Sequence, residues 1–203
     1  MSLPPPAPAI RIRAEPRDAS TCRFVVDRPV LSGGSVYFDS AGPTENSALA
    51  RELLSIPGVS GVLIQDNLIT VTAAENQANW MPIGREAGKR IRSVLEGAEP
   101  AVDPEALADL PAPEDIRDRV QAVLRDEINP AVASHGGYID LVGVERNQVF
   151  IRMGGGCQGC GMATATLRQG VEKILRRAVP EIGAILDTTD HAAGTNPYYE
   201  PAR

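Results

Sequence analysis

The amino-acid sequence predicts an α/β (α+β) protein of two small domains: an N-terminal mixed sheet with two helices, then a C-terminal domain in the order αββαβ. Three observations carry that prediction. Each half alternates short runs of period two with longer apolar stripes of period 3.6. Residues 97–113 hold Pro100, Pro104, Pro111 and Pro113 with Glu99, Asp103, Glu105 and Asp109 and no Lys or Arg, the composition of a semi-rigid linker. A length of 203 residues suits two domains at the small end of the roughly 100–200 residues usual for one. The expected layout is a disordered arm over 1–9, a first domain over 10–96, the linker over 97–113, a second domain over 114–189 and a tail over 190–203.

In the first half, Ile10 to Ala14 and Cys22 to Val26 read as strands. Period two sets Cys22, Phe24 and Val26 on one face, which makes Cys22 a core residue. Ser35 to Asp39 is a third strand after a Ser32-Gly33-Gly34 turn. Ser47 to Ile56 follows as a helix with Leu49, Leu53 and Ile56 in register, stopped by Pro57-Gly58. Val59 to Gln65 and Leu68 to Thr72 flank Asp66-Asn67, a hairpin signal. Asn79 opens a second helix to Leu95, carrying Ile83, Ala87, Ile91 and Leu95. Within the linker, Glu105 to Leu110 suits a short helical turn.

In the second half, Ile116, Val120, Val123, Leu124 and Ile128 make an amphipathic helix that Pro130 bends or ends. Ser134-His135-Gly136-Gly137 is a turn. Tyr138 to Val144 and Gln148 to Met153 form a hairpin about Glu145-Arg146-Asn147. The run Gly154 to Gly161 leads into a helix bearing Leu167, Val171, Ile174 and Leu175, and Ile182 to Asp187 is a last strand.

Composition bounds the function. With 43% hydrophobic and 23% charged residues, the chain sits near the globular average and outside the disordered class. A formal net charge of −6 disfavours nucleic acid and anionic membranes as partners. The N-terminus has neither a basic nor an apolar signal region, and no apolar run reaches the roughly 18 residues of a membrane span, so the expected compartment is the cytoplasm. Three cysteines do not make a disulfide framework; in a reducing compartment a C-x-x-C pair is more often a metal or redox group.

That pair is Cys157 and Cys160, in an eight-residue run whose other members are Gln158 and the glycines Gly154, Gly155, Gly156, Gly159 and Gly161. So bare a loop lets backbone N–H groups approach a bound anion, and the helix that follows aims its positive end at it. Both effects lower a thiol pKa, and the thiolate is the species that ligates a soft metal or attacks a disulfide. The loop by itself leaves zinc, redox and iron–sulfur chemistry open. Ligand number narrows the choice. A tetrahedral zinc or a cubane cluster takes about four protein ligands and the domain offers two, so a closed site must borrow the same pair from a second chain. A cluster held between two weakly joined halves is easy to release.

The residues resemble a known family. Asn129-Pro130-Ala131, His135-Gly136-Gly137, Leu141-Val142-Gly143-Val144, Gly156-Cys157-Gln158-Gly159-Cys160, Thr166-Leu167-Arg168-Gln169-Gly170-Val171-Glu172 and Val179-Pro180-Glu181 occur in the order found in the C-terminal domain of NifU, the Nfu domain. That resemblance spans 114–189. The first half, through Arg23-Phe24, Pro29-Val30, Leu49-Ala50, Ile56-Pro57-Gly58-Val59 and Ile69-Thr70-Val71-Thr72, is more weakly similar to the N-terminal domain of mitochondrial-type Nfu proteins. The tail Asp190-His191 to Tyr198-Tyr199 is similar to that of bacterial Nfu carriers.

The resemblance implies a non-enzymatic iron–sulfur scaffold or carrier. A [4Fe–4S] cluster would bridge a homodimer through Cys157 and Cys160 of each subunit, with Gly155, Gly156, Gly159 and Gly161 shaping its cradle. The cluster would arrive from an upstream assembly scaffold and pass to apo iron–sulfur client proteins. Gly161-Met162 departs from the proline that many relatives carry after the second cysteine, a difference in loop stiffness. The competing readings are a thiol–disulfide oxidoreductase, with Cys157 as nucleophile and Cys160 as resolver, and a zinc-bridged dimer. The redox reading predicts a parallel βαβ sheet and a later proline beside the cysteines, whereas an antiparallel hairpin precedes the loop here. Elsewhere the plainer reading prevails. His135 is a turn residue, His191 lies in a polar tail, Trp80 packs, and Glu114, Asp115 and Asp118 are first-turn charges that suit a helix dipole. No paired carboxylates or Ser-His-Asp order suggest catalysis.

Overall fold

Two hairpin turns are built from one chemistry. In each, the first central residue takes the left-handed backbone, with φ 47° at Asp66 and 55° at Arg146, and an asparagine follows. This twist matches that of the flanking strands. The turns close Gln65 on Leu68 and Glu145 on Gln148, and so set the register of the two hairpins. The computed structural model describes residues 9–74, 79–134, 136–155 and 161–189, the stretch 161–168 by its backbone alone. Residues 1–8 of the expected arm, His135 and the tail from Asp190 lie outside them. The chain divides into two units, Met1–Ala108 and Asp109–Arg203.

The first unit contains β1 (Ile12–Pro16), β2 (Thr21–Val26), β3 (Leu31–Asp39), α1 (Ala48–Leu54), β4 (Val59–Asp66), β5 (Leu68–Ala73) and α2 (Met81–Glu96). Its sheet order is β1-β2-β5-β4-β3. Cys22, Phe24 and Val26 face the core, as the alternation predicts, together with Val62, Ile64, Ile69 and Val71. Leu49 and Leu53 of α1 and Ile83, Ala87 and Ile91 of α2 close over that face. The Trp80 indole packs against this core and donates to the Asp18 carbonyl at 3.1 Å.

Three expectations change here. A mixed sheet was expected, yet all four pairings are antiparallel. The seven residues of α1 span about 10 Å, too little to carry the chain back along the nine-residue β3, so β4 starts at the end where β3 stops. Ser32-Gly33-Gly34 is not a turn before a strand but an irregularity inside β3, where the register slips between Leu31 and Ser35 and Gly33 takes φ 95°. The first half of the expected linker belongs to the unit. Ala101 and Val102 are buried in its core. The Ala101 carbonyl accepts from the Leu49 N–H at 3.1 Å and the Ser47 hydroxyl at 2.8 Å. Ser47 also caps α1, accepting from the Ala50 N–H at 3.0 Å, a contact worth about 1 kcal/mol. A 3₁₀ turn over Pro104–Leu107 follows.

The second unit contains α3 (Pro113–Val123), a π-helical turn (Leu124–Ile128), α4 (Asn129–Ala133), β6 (Gly137–Glu145), β7 (Gln148–Gly155), α5 (Gly161–Ala178) and β8 (Ile185–Asp187). Pro130 does not end the first helix. It lacks the N–H for the Asp126 carbonyl and its ring crowds that turn. The helix widens instead, and the Asn129 N–H reaches back five residues to the Leu124 carbonyl. Ile116, Val120, Leu124 and Ile128 stay buried through the change. They pack with Val171 and Leu175 of α5 against Ile139, Val149, Ile151 and Met153 of the sheet.

The sheet order is β6-β7-β8. β6 and β7 are antiparallel, but β8 runs parallel to β7. The 18 residues of α5 rise about 27 Å, enough to return the chain to the start of β7. β8 begins later than Ile182, because the Arg176 guanidinium takes the Ile182 and Gly183 carbonyls at 2.9 and 2.7 Å.

Candidate functional site

The two cysteines fall in sequence between the last residue of β7 and the first of α5. Cys157 and Cys160, with Gly156 and Gly159, lie outside the described residues. Both ends of the five-residue connection that contains them are described, and each is fixed for a physical reason.

At the strand end, Gly155 pairs with Gly137 and takes φ 61°. A Cβ there would stand 2.3 Å from the Gly136 carbonyl oxygen. Both the dihedral and the neighbouring backbone therefore require glycine. Gly155 lets two backbone segments of the chain touch at the base of the connection. One residue earlier, Gly154 pairs with Tyr138, and a Cβ on it would lie 2.1 Å from the Tyr138 Cζ. The tyrosine ring rests directly on the bare backbone.

Three side chains hold this end of the sheet from its flanks. Asn129 accepts from the Ile139 N–H at 2.8 Å and donates to the Ile139 carbonyl at 3.0 Å, taking the place of a missing strand beside β6. On the other side the Met153 N–H donates to the buried Thr189 hydroxyl at 2.7 Å. The Thr188 N–H and hydroxyl both donate to the Ile151 carbonyl, at 2.8 and 3.0 Å. Sequence reasoning assigned Asn129 to a family motif without a role and passed over Thr188 and Thr189. Their signal, polar residues next to a short strand, is too common to single them out.

At the helix end, Gly161 is the first residue of α5. The unsatisfied N–H groups and positive dipole end of a helix this long favour a thiolate over a thiol. The last turn carries Arg176 and Arg177, which complement the opposite pole. Cys22, by contrast, is unsuited to ligation. It is 1% exposed, and burial pushes its thiol up to about 11. Among the described residues no group of three or more His, Cys, Asp or Glu is placed to hold a metal ion, and no helix is long and apolar enough to cross a membrane. Glu114 and Asp115 occupy the first turn of α3, as expected; Asp118 lies beyond it, on a groove wall.

One discriminating expectation fails. The parallel βαβ arrangement that the redox reading predicts is present, since β7, α5 and β8 form such a unit around the connection. Strand direction therefore does not separate cluster binding from disulfide chemistry.

Comparison with known proteins places both halves. Residues 10–97 match the family model described as scaffold protein Nfu/NifU N terminal, and residues 120–186 match the NifU-like domain. The chain is 51% identical over 85 residues to the Fe/S biogenesis protein NfuA of Pseudomonas aeruginosa, an alignment covering 41% of this chain and 44% of that protein. It is 48% identical over 83 residues to NfuA of Azotobacter vinelandii, covering 40% and 43%. The chain thus spans less than half the length of these curated relatives. A solution structure of a NifU-like protein from Saccharomyces cerevisiae aligns at a TM-score of 0.44 and 18% identity, over 51% of this chain and 93% of that one.

Proposed function

We propose, from the premise that this chain joins an Nfu/NifU N-terminal domain to a NifU-like domain, that it is an iron–sulfur cluster carrier. It receives a [4Fe–4S] cluster between two copies of itself and delivers it to apo-proteins. The supporting observation is the pair of ends that flank the cysteines. Two soft ligands, Cys157 and Cys160, sit in sequence between a glycine that a left-handed φ and a close backbone contact both require and the positive end of an 18-residue helix.

The chemistry follows from ligand number. Two thiolates per chain leave a four-iron cluster half ligated, so two chains close the site together. The cluster is the cargo. It exchanges by thiolate substitution as client cysteines replace Cys157 and Cys160 one at a time, with no change in the oxidation state of iron or sulfide. The backbone N–H groups of a glycine-rich loop and the α5 dipole offset the negative charge of the ligated cluster. The second domain carries the site. The first, with its own core, contacts donors or clients.

Anaerobic reconstitution with iron and sulfide tests this. The full chain gains the broad sulfur-to-iron charge-transfer absorption and moves from monomer to dimer, with four irons per two chains. Cys157→Ala and Cys160→Ala each abolish both changes. A full cluster on a monomer, or retention by Cys157→Ala, overturns the reading. Rapid disulfide reduction by the metal-free chain, with no cluster uptake, establishes the oxidoreductase that the β7-α5-β8 unit also accommodates.

A further inference from the structure

Among the described residues the β6 edge of the second unit is left unpaired at Leu141. In the β6-β7 ladder, hydrogen-bonded and non-bonded pairs alternate. The Ile139 N–H and C=O point away from β7, because Asn129 takes both. Leu141, two residues on and still in register opposite Ile151, aims its N–H and C=O the same way. Ile151 sits in the matching phase, its carbonyl turned away from β6 to the Thr188 N–H. Among the described residues nothing pairs with the Leu141 backbone groups.

They open on a groove of about 550 Å³ between β6 and the α3/π-turn wall. The two walls carry Asp118 and Asp140. Asp140 is paired with Arg152 at 3.3 Å, and Arg125 is held in a two-pronged ion pair by Asp126 at 2.7 and 2.8 Å. Asp118 meets no cation among the described residues. That leaves one uncompensated negative charge on the rim, with a strand edge at its floor. Unpaired strand edges are templates for pairing with another chain, and a groove between an edge strand and a helix is a recurring seat for an added peptide strand.

We propose that the β6 edge at Leu141 binds an extended, basic segment of another protein. That segment hydrogen-bonds to Leu141 as a further strand and sets a Lys or Arg against Asp118. Asn129 limits the register by occupying the edge at Ile139, so the segment enters only from the Leu141 side. That the segment belongs to a recipient of the cluster rests on the function proposed above; the binding itself needs no cluster.

The test uses the full chain without metal and a capped octapeptide alternating Lys with Val and Thr. Titration followed by amide NMR and hydrogen exchange is expected to shift Leu141 and Val142 first and to slow Leu141 amide exchange at least tenfold at saturation. Three changes each weaken binding tenfold or more: Glu in place of Lys in the peptide, N-methylation of its edge-facing amides, and Asp118→Lys in the exposed helix of the protein. Equal binding of the Glu peptide, indifference to N-methylation, or shifts that map elsewhere overturn the proposal. So does concentration-dependent protection of Leu141 without peptide, which assigns the edge to a second copy of the chain. Cluster uptake in the same preparation reads the carrier function separately, so the two can fail independently.

Discussion

Each unit contains a tyrosine laid over a strand glycine, and the two arrangements differ in what they demand. In the first, a Cβ on Gly61 would stand 2.5 Å from the Tyr37 hydroxyl and 3.1 Å from the nearest ring carbons. Tyr37 is offset from Gly61, since its own partner is Leu63, so only the far end of its side chain is in the way. In the second, Tyr138 is the direct partner of Gly154, and a Cβ there would meet the Tyr138 Cζ, Oη and Cε1 at 2.1, 2.4 and 2.5 Å. The next residue, Gly155, is blocked by backbone rather than side chain. An aromatic ring over a strand glycine fixes register in both places. Beside the cysteines it is followed by a second glycine that nothing can replace. The contrast separates a glycine that packing prefers from a pair that the backbone path requires.

The largest break in that contrast is expected at Gly155. Gly155→Ala forces a Cβ against the Gly136 carbonyl in a left-handed conformation, at about 3 kcal/mol. Denaturant unfolding should show loss confined to the second unit, with the first unit's midpoint unchanged. A loss under about 1 kcal/mol would mean the 136–155 contact relaxes freely and does not define the base of the connection.

Next is a pair of matched substitutions. Gly154→Ala is expected to cost about 1–2 kcal/mol by displacing the Tyr138 ring, and Gly61→Ala less than about 1 kcal/mol, because a Cβ there meets only the far end of the Tyr37 side chain. In the double variant with Tyr138→Ala, most of the Gly154→Ala penalty disappears, the signature of a coupled contact. Equal penalties at Gly61 and Gly154, or no coupling to Tyr138, would erase the difference between the units.

Much of this was legible in the residues themselves. Period-two alternation places Cys22, Phe24 and Val26 in the core, and the asparagine turns locate both hairpins. The glycine-cysteine run reads as a strand-to-helix connection, and both described ends agree with that, though Cys157 and Cys160 themselves lie outside the described residues. What escaped was nonlocal. Ala101-Val102 is too short to show a period, and its burial depends on Ser47 and Leu49, which lie about fifty positions earlier. The π turn depends on how one proline is accommodated by the turn before it, and a sequence pattern shows only that something must give at Pro130. The parallel β8 follows from the length of α5, and the antiparallel β4 from the shortness of α1. Connection length was the available signal for strand direction, and it outweighs the hairpin signal on which the redox reading was discounted.

The smallest expected effect concerns two ion pairs that tie a carboxylate to arginine. The Arg23 hydrogen bond holds Glu15 below the usual carboxylate range in the first unit. The Arg119 hydrogen bond, at 2.9 Å, does the same for Glu181 in the second, against a smaller opposing effect of burial. A carboxylate whose folded-state pKa is depressed adds stability that is present above its unfolded pKa and is lost as pH falls through the folded one. For Glu181 the contribution is therefore complete above the ordinary value of 4.5 and fades on acidification below it. The side chains are 41% and 33% exposed, so solvent screening limits the effect to about 0.5 kcal/mol. Glu181→Gln, which keeps the shape and removes the titration, should sit below the wild type by that constant margin at neutral pH and converge with it as the carboxylate protonates. A gap that widens in acid would show that Glu181 is stabilised in its neutral form, and that Arg119 steadies α3 through its 3.2 Å bond to the Ala178 carbonyl alone.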